Sequence, residues 1–165
     1  MIIAISGTPG VGKHYIGRIL SKKLGYEFVD LNKKINKREI SLSELNAAAR
    51  KIKDNTIVVS HLVHLVTSKK FDLLIVLRCR PDVLEKRLRK RGYGKRKIYD
   101  NLMFEAIDGT YAEATDMHKK VIQIDNTKDW RGTIKKIILA MKGKYKPERI
   151  DYSDYILLIE KRFNG

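Results

Sequence analysis

Five short apolar runs punctuate the chain, at residues 2–6 (IIAIS), 26–31 (YEFVDL), 55–62 (NTIVVSHL), 71–79 (FDLLIVLRC) and 120–125 (KVIQID). The first is continuous rather than alternating, as in a strand buried on both faces of a parallel sheet. Between the runs the period lengthens to that of a helix. Ile16, Leu20 and Leu24 share one face of 13–25, and Gly25 stands where a C-cap belongs. Ser41 and Glu44 have capping-box spacing at the start of a helix over 41–52. Pro81 opens a helix over 80–93 that turns Val83, Leu84 and Leu88 inward. Residues 95–118 read as one long helical stretch and 129–143 as a closing helix. The segment 33–40 is basic and weakly patterned, a loop or a short helix. The tail from 144 is polar first, then apolar enough to pack back on the rest. Strands alternating with helices predict a parallel sheet covered on both faces, in one domain spanning 1–165.

Charge changes this picture more than composition does. Lys and Arg number 35 against 19 acids, a net of +16. Such a surface draws polyanions: nucleotides, RNA or an acidic protein. The bland alternative is general solubility, or a basic or heat-adapted proteome. The single cysteine, Cys79, cannot close an internal disulfide, so nothing points to an oxidising compartment. The opening MIIAISG is too short for a signal peptide, and no apolar run approaches a membrane span. The expectation is a cytoplasmic protein with no membrane partner.

The first strand runs straight into GTPGVGKH, residues 7–14. The pattern G-x-x-x-x-G-K between a strand and a helix is the phosphate-binding P-loop. Gly7, Gly10 and Gly12 let the backbone turn tightly, and Gly10, Val11 and Gly12 present loop amides to phosphate oxygens. Lys13 reaches the outer phosphates as a point charge. The motif should close with Ser or Thr, whose hydroxyl holds Mg2+, but His14 stands there with Tyr15 behind it. Imidazole is a poor ligand for a hard cation. The backbone amides of His14 and Tyr15 remain available, so phosphate binding survives and magnesium positioning is what the substitution threatens. With this motif the fold class becomes α/β of P-loop NTPase type: three layers, α/β/α, on a five-stranded parallel sheet.

The stretch LRCRPDVLEKRLRKRGYGKRKIYDNLMFEAIDGTYAEA, residues 77–114, resembles the adenylate kinase isoform 6 family, and KYKPERIDYS near the C-terminus looks like its archaeal form. The family comprises broad-specificity nucleoside monophosphate kinases that also hydrolyse ATP and assist maturation of the small ribosomal subunit. The resemblance implies that Arg91, in RGY, contacts ATP and that about 90–100 form a small helical lid. It implies that Asn126 to Lys128 hold the adenine, Lys128 foremost, and that about 30–50 form the acceptor side. That last segment looks abbreviated here. His61 matches a family histidine that orients water or substrate. The acid expected two residues earlier, which acts on magnesium, is replaced by Val59, with Asp30 a candidate substitute. His61 and His64 form H-x-x-H, but without a third ligand they read as one site histidine and one packing histidine rather than a zinc site. Tyr93 and Tyr99 near the lid either stack on bases or simply pack.

The catalytic candidates are therefore Lys13, Arg91 and His61. The nucleotide-binding candidates are Gly10, Val11, Gly12, Lys13, His14, Tyr15, Arg91 and Lys128, with no metal ligand assigned. The cofactors implied are ATP and Mg2+. The partners implied are AMP or another monophosphate and, by resemblance alone, ribosomal protein uS11 and the 30S subunit with its rRNA. Two functions follow: a kinase converting ATP and AMP to two ADP, or a nucleotide-binding ribosome assembly factor with weak turnover.

Overall fold

The structure, a computed structural model, describes residues 1–35 and 40–164. The five apolar runs form five strands: β1 (Ile2–Ser6), β2 (Glu27–Asp30), β3 (Thr56–Val59), β4 (Leu73–Arg78) and β5 (Val121–Asp125). They pair in parallel in the order β2-β3-β1-β4-β5. The helices are α1 (Lys13–Leu24), α2 (Leu31–Ile35), α3 (Leu42–Arg50), α4 (Pro81–Lys90), α5 (Lys95–Ala106), α6 (Gly109–Met117), α7 (Trp130–Met141) and α8 (Tyr155–Asn164), with a 3-10 turn at Val63–Leu65.

Alternate residues of each strand point to opposite layers. Ile3, Ile5, Ile57, Val59, Ile75 and Leu77 pack with Ile16 and Leu20 of α1, Leu84 and Leu88 of α4, Ile98 and Leu102 of α5, Ile137 of α7 and Phe163 of α8. Ile2, Ala4, Val58, Leu74 and Val76 pack on the other side with Leu31, Leu45, Ala49, Val63 and Ala114. The fold is thus the three-layer α/β/α arrangement predicted. The tail packs back as read: Ile150, Tyr152, Ile159 and Phe163 are buried.

Most elements are a few residues shorter than their sequence ranges, and three differences bear on the site. The second strand ends at Asp30, and Leu31 already opens α2. Of the basic segment 33–40, α2 takes 33–35, while 36–39 lie outside the described residues. The stretch 95–118 is two helices rather than one. Asp108 between them adopts a left-handed conformation, φ 58°. That turn sets its carboxylate on the guanidinium of buried Arg78, an ion pair that helical periodicity alone does not reveal. The capping box at Ser41 and Glu44 forms as spaced.

Parallel pairing brings every strand's C-terminal end to one edge. Asp30 lies in register with Val59, Ile5 with Val59, and Ser6 with Val76. The loop after β1, the central strand, is therefore flanked by the ends of β3 and β4.

Candidate active site

The glycine loop turns sharply off the end of β1. Gly7 has φ 134°, and a Cβ there would lie 2.4 Å from the Leu77 carbonyl oxygen, so only glycine fits between β1 and β4. Gly12 has φ 105°, and a Cβ there would meet the Asn126 side-chain amide at 2.6 Å. That amide donates to the Val11 carbonyl at 2.8 Å and ties the loop after β5 to the glycine loop. Lys13 begins α1, so the first-turn amides of that helix face the loop with the positive end of its dipole.

Lys13 folds back across the loop. Its ammonium donates to the carbonyls of Gly7 at 2.6 Å and Thr8 at 3.0 Å, and the residue is only 5% exposed. Burial lowers its pKa to about 7; the Glu105 carboxylate opposes the shift and the Arg91 charge adds to it. Beneath the loop, Glu105 is 2% exposed. It accepts from Thr8 Oγ1 at 2.5 Å, from Arg78 Nε at 2.8 Å and from the Cys79 amide at 3.0 Å. One carboxylate therefore joins the phosphate loop, the end of β4 and α5.

Above the loop lies a cleft of 340 Å³. Its charged and ionisable lining is Lys13, His14, His61, Arg91 and Lys97, completed by Pro9, Gly10, Gly12, Tyr15, Asn32 and Tyr93. None of these is a carboxylate, a serine or a threonine. Arg91 caps the C-terminal end of α4, and Lys97 lies in the first turn of α5 with its ammonium 4.4 Å from the Tyr93 ring centre. His14 donates from Nε2 to Asp30 Oδ2 at 2.9 Å. Asp30 Oδ1 accepts from the amides of Asn32 at 3.1 Å and Lys33 at 3.3 Å. The candidate substitute for the missing acid thus spends both oxygens on His14 and on the start of α2.

His61 is oriented by a chain of hydrogen bonds. Ser60 Oγ accepts from the Leu62 amide at 3.0 Å and donates to Asn32 Oδ1 at 2.7 Å. Asn32 Nδ2 in turn donates to His61 Nδ1 at 2.8 Å. That assignment leaves the proton on Nε2, as a donor in the cleft wall. Burial, reinforced by the Lys13 charge, lowers the His61 pKa to about 4, so the ring is neutral at physiological pH. His64 is the packing histidine. It is 2% exposed, accepts from Ser6 Oγ at 2.7 Å and donates to Glu113 Oε2 at 2.8 Å. Among the described residues no three His, Cys, Asp or Glu side chains cluster to hold a metal.

A second hollow of 280 Å³ shares Gly10, Gly12, Tyr15 and Arg91 with the first and continues to Arg87, Asn126, Lys128 and Trp130. Tyr15 meets Trp130 edge-on at 5.6 Å. Arg87 donates to the carbonyls of Asn126 at 3.2 Å and Thr127 at 2.7 Å, and so fixes the wall that carries Lys128.

Of the sequence candidates, Gly10, Gly12, Lys13, His14, Tyr15, His61 and Arg91 line the main cleft, and Lys128 lines the second hollow. Val11 is fully buried and lines neither. Tyr93 lines the cleft, whereas Tyr99 packs on Phe163. Sequence reasoning missed Asn32, Arg87, Lys97, Trp130 and Glu105. For Glu105 a signal existed: Ile98, Leu102 and Glu105 fall on one helical face, and an acid on an apolar face needs a buried partner.

Comparison with known proteins agrees with this geometry. Residues 3–113 match the AAA domain family. Curated archaeal proteins named "Putative adenylate kinase" are similar over most of their length. The Pyrococcus abyssi protein is 41% identical over 139 residues, covering 77% of this chain and 76% of that one. The Methanocaldococcus jannaschii protein is 33% identical over 180 residues, covering 96% and 98%. Among solved structures, shikimate kinase from Bacteroides thetaiotaomicron superposes with a TM-score of 0.62 at 16% identity, over 86% of this chain and 98% of that one. The deoxyadenosine kinase of M. mycoides with bound dATP gives 0.59 at 21%, over 86% and 99%. These two share the fold of a P-loop kinase. By sequence, the chain belongs to the archaeal-type adenylate kinase-like family.

Proposed function

We propose that the protein transfers a phosphoryl group from ATP to a nucleoside monophosphate, AMP foremost, to give two diphosphates. The observation that carries this reading is the convergence of the glycine loop, Lys13, Arg91 and His61 on one cleft. The loop amides and Lys13 hold the β- and γ-phosphates. Arg91 and Lys97 close over them from the 90–100 segment, which acts as the lid. Their charges offset what builds up on the transferring group. The second hollow takes the adenine of ATP between Lys128, Arg91 and the Tyr15–Trp130 corner. His61, neutral and with its proton on Nε2, orients the attacking phosphate oxygen or a water molecule rather than removing a proton.

A coupled assay of ADP production tests this. Adding AMP to ATP is expected to raise the rate at least about tenfold over ATP alone, since placement of the acceptor supplies much of the acceleration. A rate indifferent to every monophosphate favours the second reading, a nucleotide-binding factor of small-subunit maturation with slow ATPase turnover. Among the described residues the cleft lining holds no carboxylate, serine or threonine, which favours that reading; the ribosomal setting rests on the family resemblance and the +16 charge.

Lys13 supplies a further prediction. With a pKa of about 7, the Lys13 amine is mostly neutral at pH 8. Phosphate oxygens favour the ammonium, so nucleotide binding at pH 8 is expected to take up close to one proton, and almost none at pH 6. Calorimetric titration in buffers of differing ionisation enthalpy measures it; equal uptake at both pH values contradicts the assignment. The same shift acts on folding. The unfolded lysine holds its proton up to about 10.5, so between 7 and 10.5 the unfolded state binds more protons and stability rises with pH across that window.

A further inference from the structure

We infer that this cleft grips its polyphosphate as the metal-free anion, with side-chain cations standing where a protein-positioned Mg2+ would sit. The inference rests on the reading of the cleft as a nucleotide site and adds the form of ligand it selects. Magnesium asks for oxygen donors in near-octahedral array. The residue after Lys13, where a hydroxyl belongs, is His14, whose ring is held by Asp30 at 2.9 Å. Asp30 has its other oxygen on two backbone amides. Ser60 Oγ is spent between the Leu62 amide and Asn32. Glu105 is enclosed beneath the loop by Thr8, Arg78 and the Cys79 amide. Val59, where the family carries an acid, is fully buried in the sheet. Among the described residues, no carboxylate or aliphatic hydroxyl lines the cleft.

What does line it is cationic. Lys13, Arg91 and Lys97 converge there with two imidazoles. A divalent ion brought among these charges is repelled by them. It also removes two units of negative charge from the ligand that they attract. The site therefore favours free ADP or ATP over the magnesium complex, or at best treats them alike. Ordinary P-loops use the ion as a bridge; here Arg91 and Lys97 supply the positive charge instead.

The test is calorimetric titration of the full chain with ADP, in chelator and in excess Mg2+ at matched ionic strength. Wild type is expected to bind free ADP as tightly as, or several-fold more tightly than, Mg-ADP. The His14→Thr variant restores the hydroxyl and releases Asp30 Oδ2, so Mg2+ is expected to tighten its binding by about tenfold. A thermal melt confirms that this variant is folded. Tightening of wild-type binding by Mg2+ of about tenfold overturns the inference and leaves the nucleotide site standing. Absence of a metal response in folded His14→Thr overturns the assignment to His14 and Asp30. Absence of ADP binding under both conditions removes the nucleotide reading, and the inference with it.

Discussion

Glu105→Ala is expected to cost about 3–5 kcal/mol of folding stability, because it strips the main counter-charge from a guanidinium that has no route to water. Arg78 is 1% exposed, and Glu105 supplies one of its partners through the carboxylate and another through the backbone carbonyl at 2.7 Å. Only the side-chain contact is lost, but Gln123, at 2.9 Å, is neutral, and the counter-charge that remains, Asp108, is a partly exposed side chain at the turn between α5 and α6. The substitution also frees Thr8 and the Cys79 amide. Glu105→Gln separates charge from shape. It fills the same space but leaves the guanidinium short of a negative partner, so an intermediate loss is expected, with Thr8 still held because its hydroxyl accepts from the new amide N–H. Denaturant unfolding of the three chains measures this; an unchanged midpoint for Glu105→Ala would show that Asp108 alone neutralises Arg78.

Lys13→Ala has the opposite profile. Among the described residues its ammonium is bonded to the loop carbonyls of Gly7 and Thr8 and to no carboxylate, and its burial disfavours the charged form. Removing it leaves no carboxylate unpaired, so the variant is expected to fold with little change in melting temperature. Catalysis suffers instead. On the proposed reading Lys13 swings from the carbonyls onto the phosphates and offsets charge there as it develops, and losing one such donor is expected to cost about 10²–10³ in rate. Steady-state ADP production, read beside a thermal melt, distinguishes the two effects. A variant that keeps its rate would place the chemistry away from the glycine loop.

The sheet and its loop were legible because their physics is local. Apolar runs of strand length, a strand-to-helix glycine signature and a Ser–Glu cap each depend on residues near in sequence. What stayed hidden depends on residues far apart. Arg78 and Glu105 are 27 positions apart, and their pairing explains both the buried acid and the break at Asp108. From the sequence, Asp30 is a candidate substitute for the acid missing at Val59; the structure shows it committed to His14, because β2 and α1 meet across the edge of the sheet. His61 was named from its family position, but the chain that fixes its tautomer runs through Asn32, whose place follows from α2 starting directly at Leu31.

In the proposed function, backbone amides and one ammonium hold phosphate at the end of β1. Calorimetric titration with ADP at moderate ionic strength, in wild type and in Lys13→Ala, tests that most directly. The prediction is one saturable site per chain in wild type, weakened by at least about tenfold in the variant. No saturable heat in wild type, or equal affinities in the two chains, would contradict it.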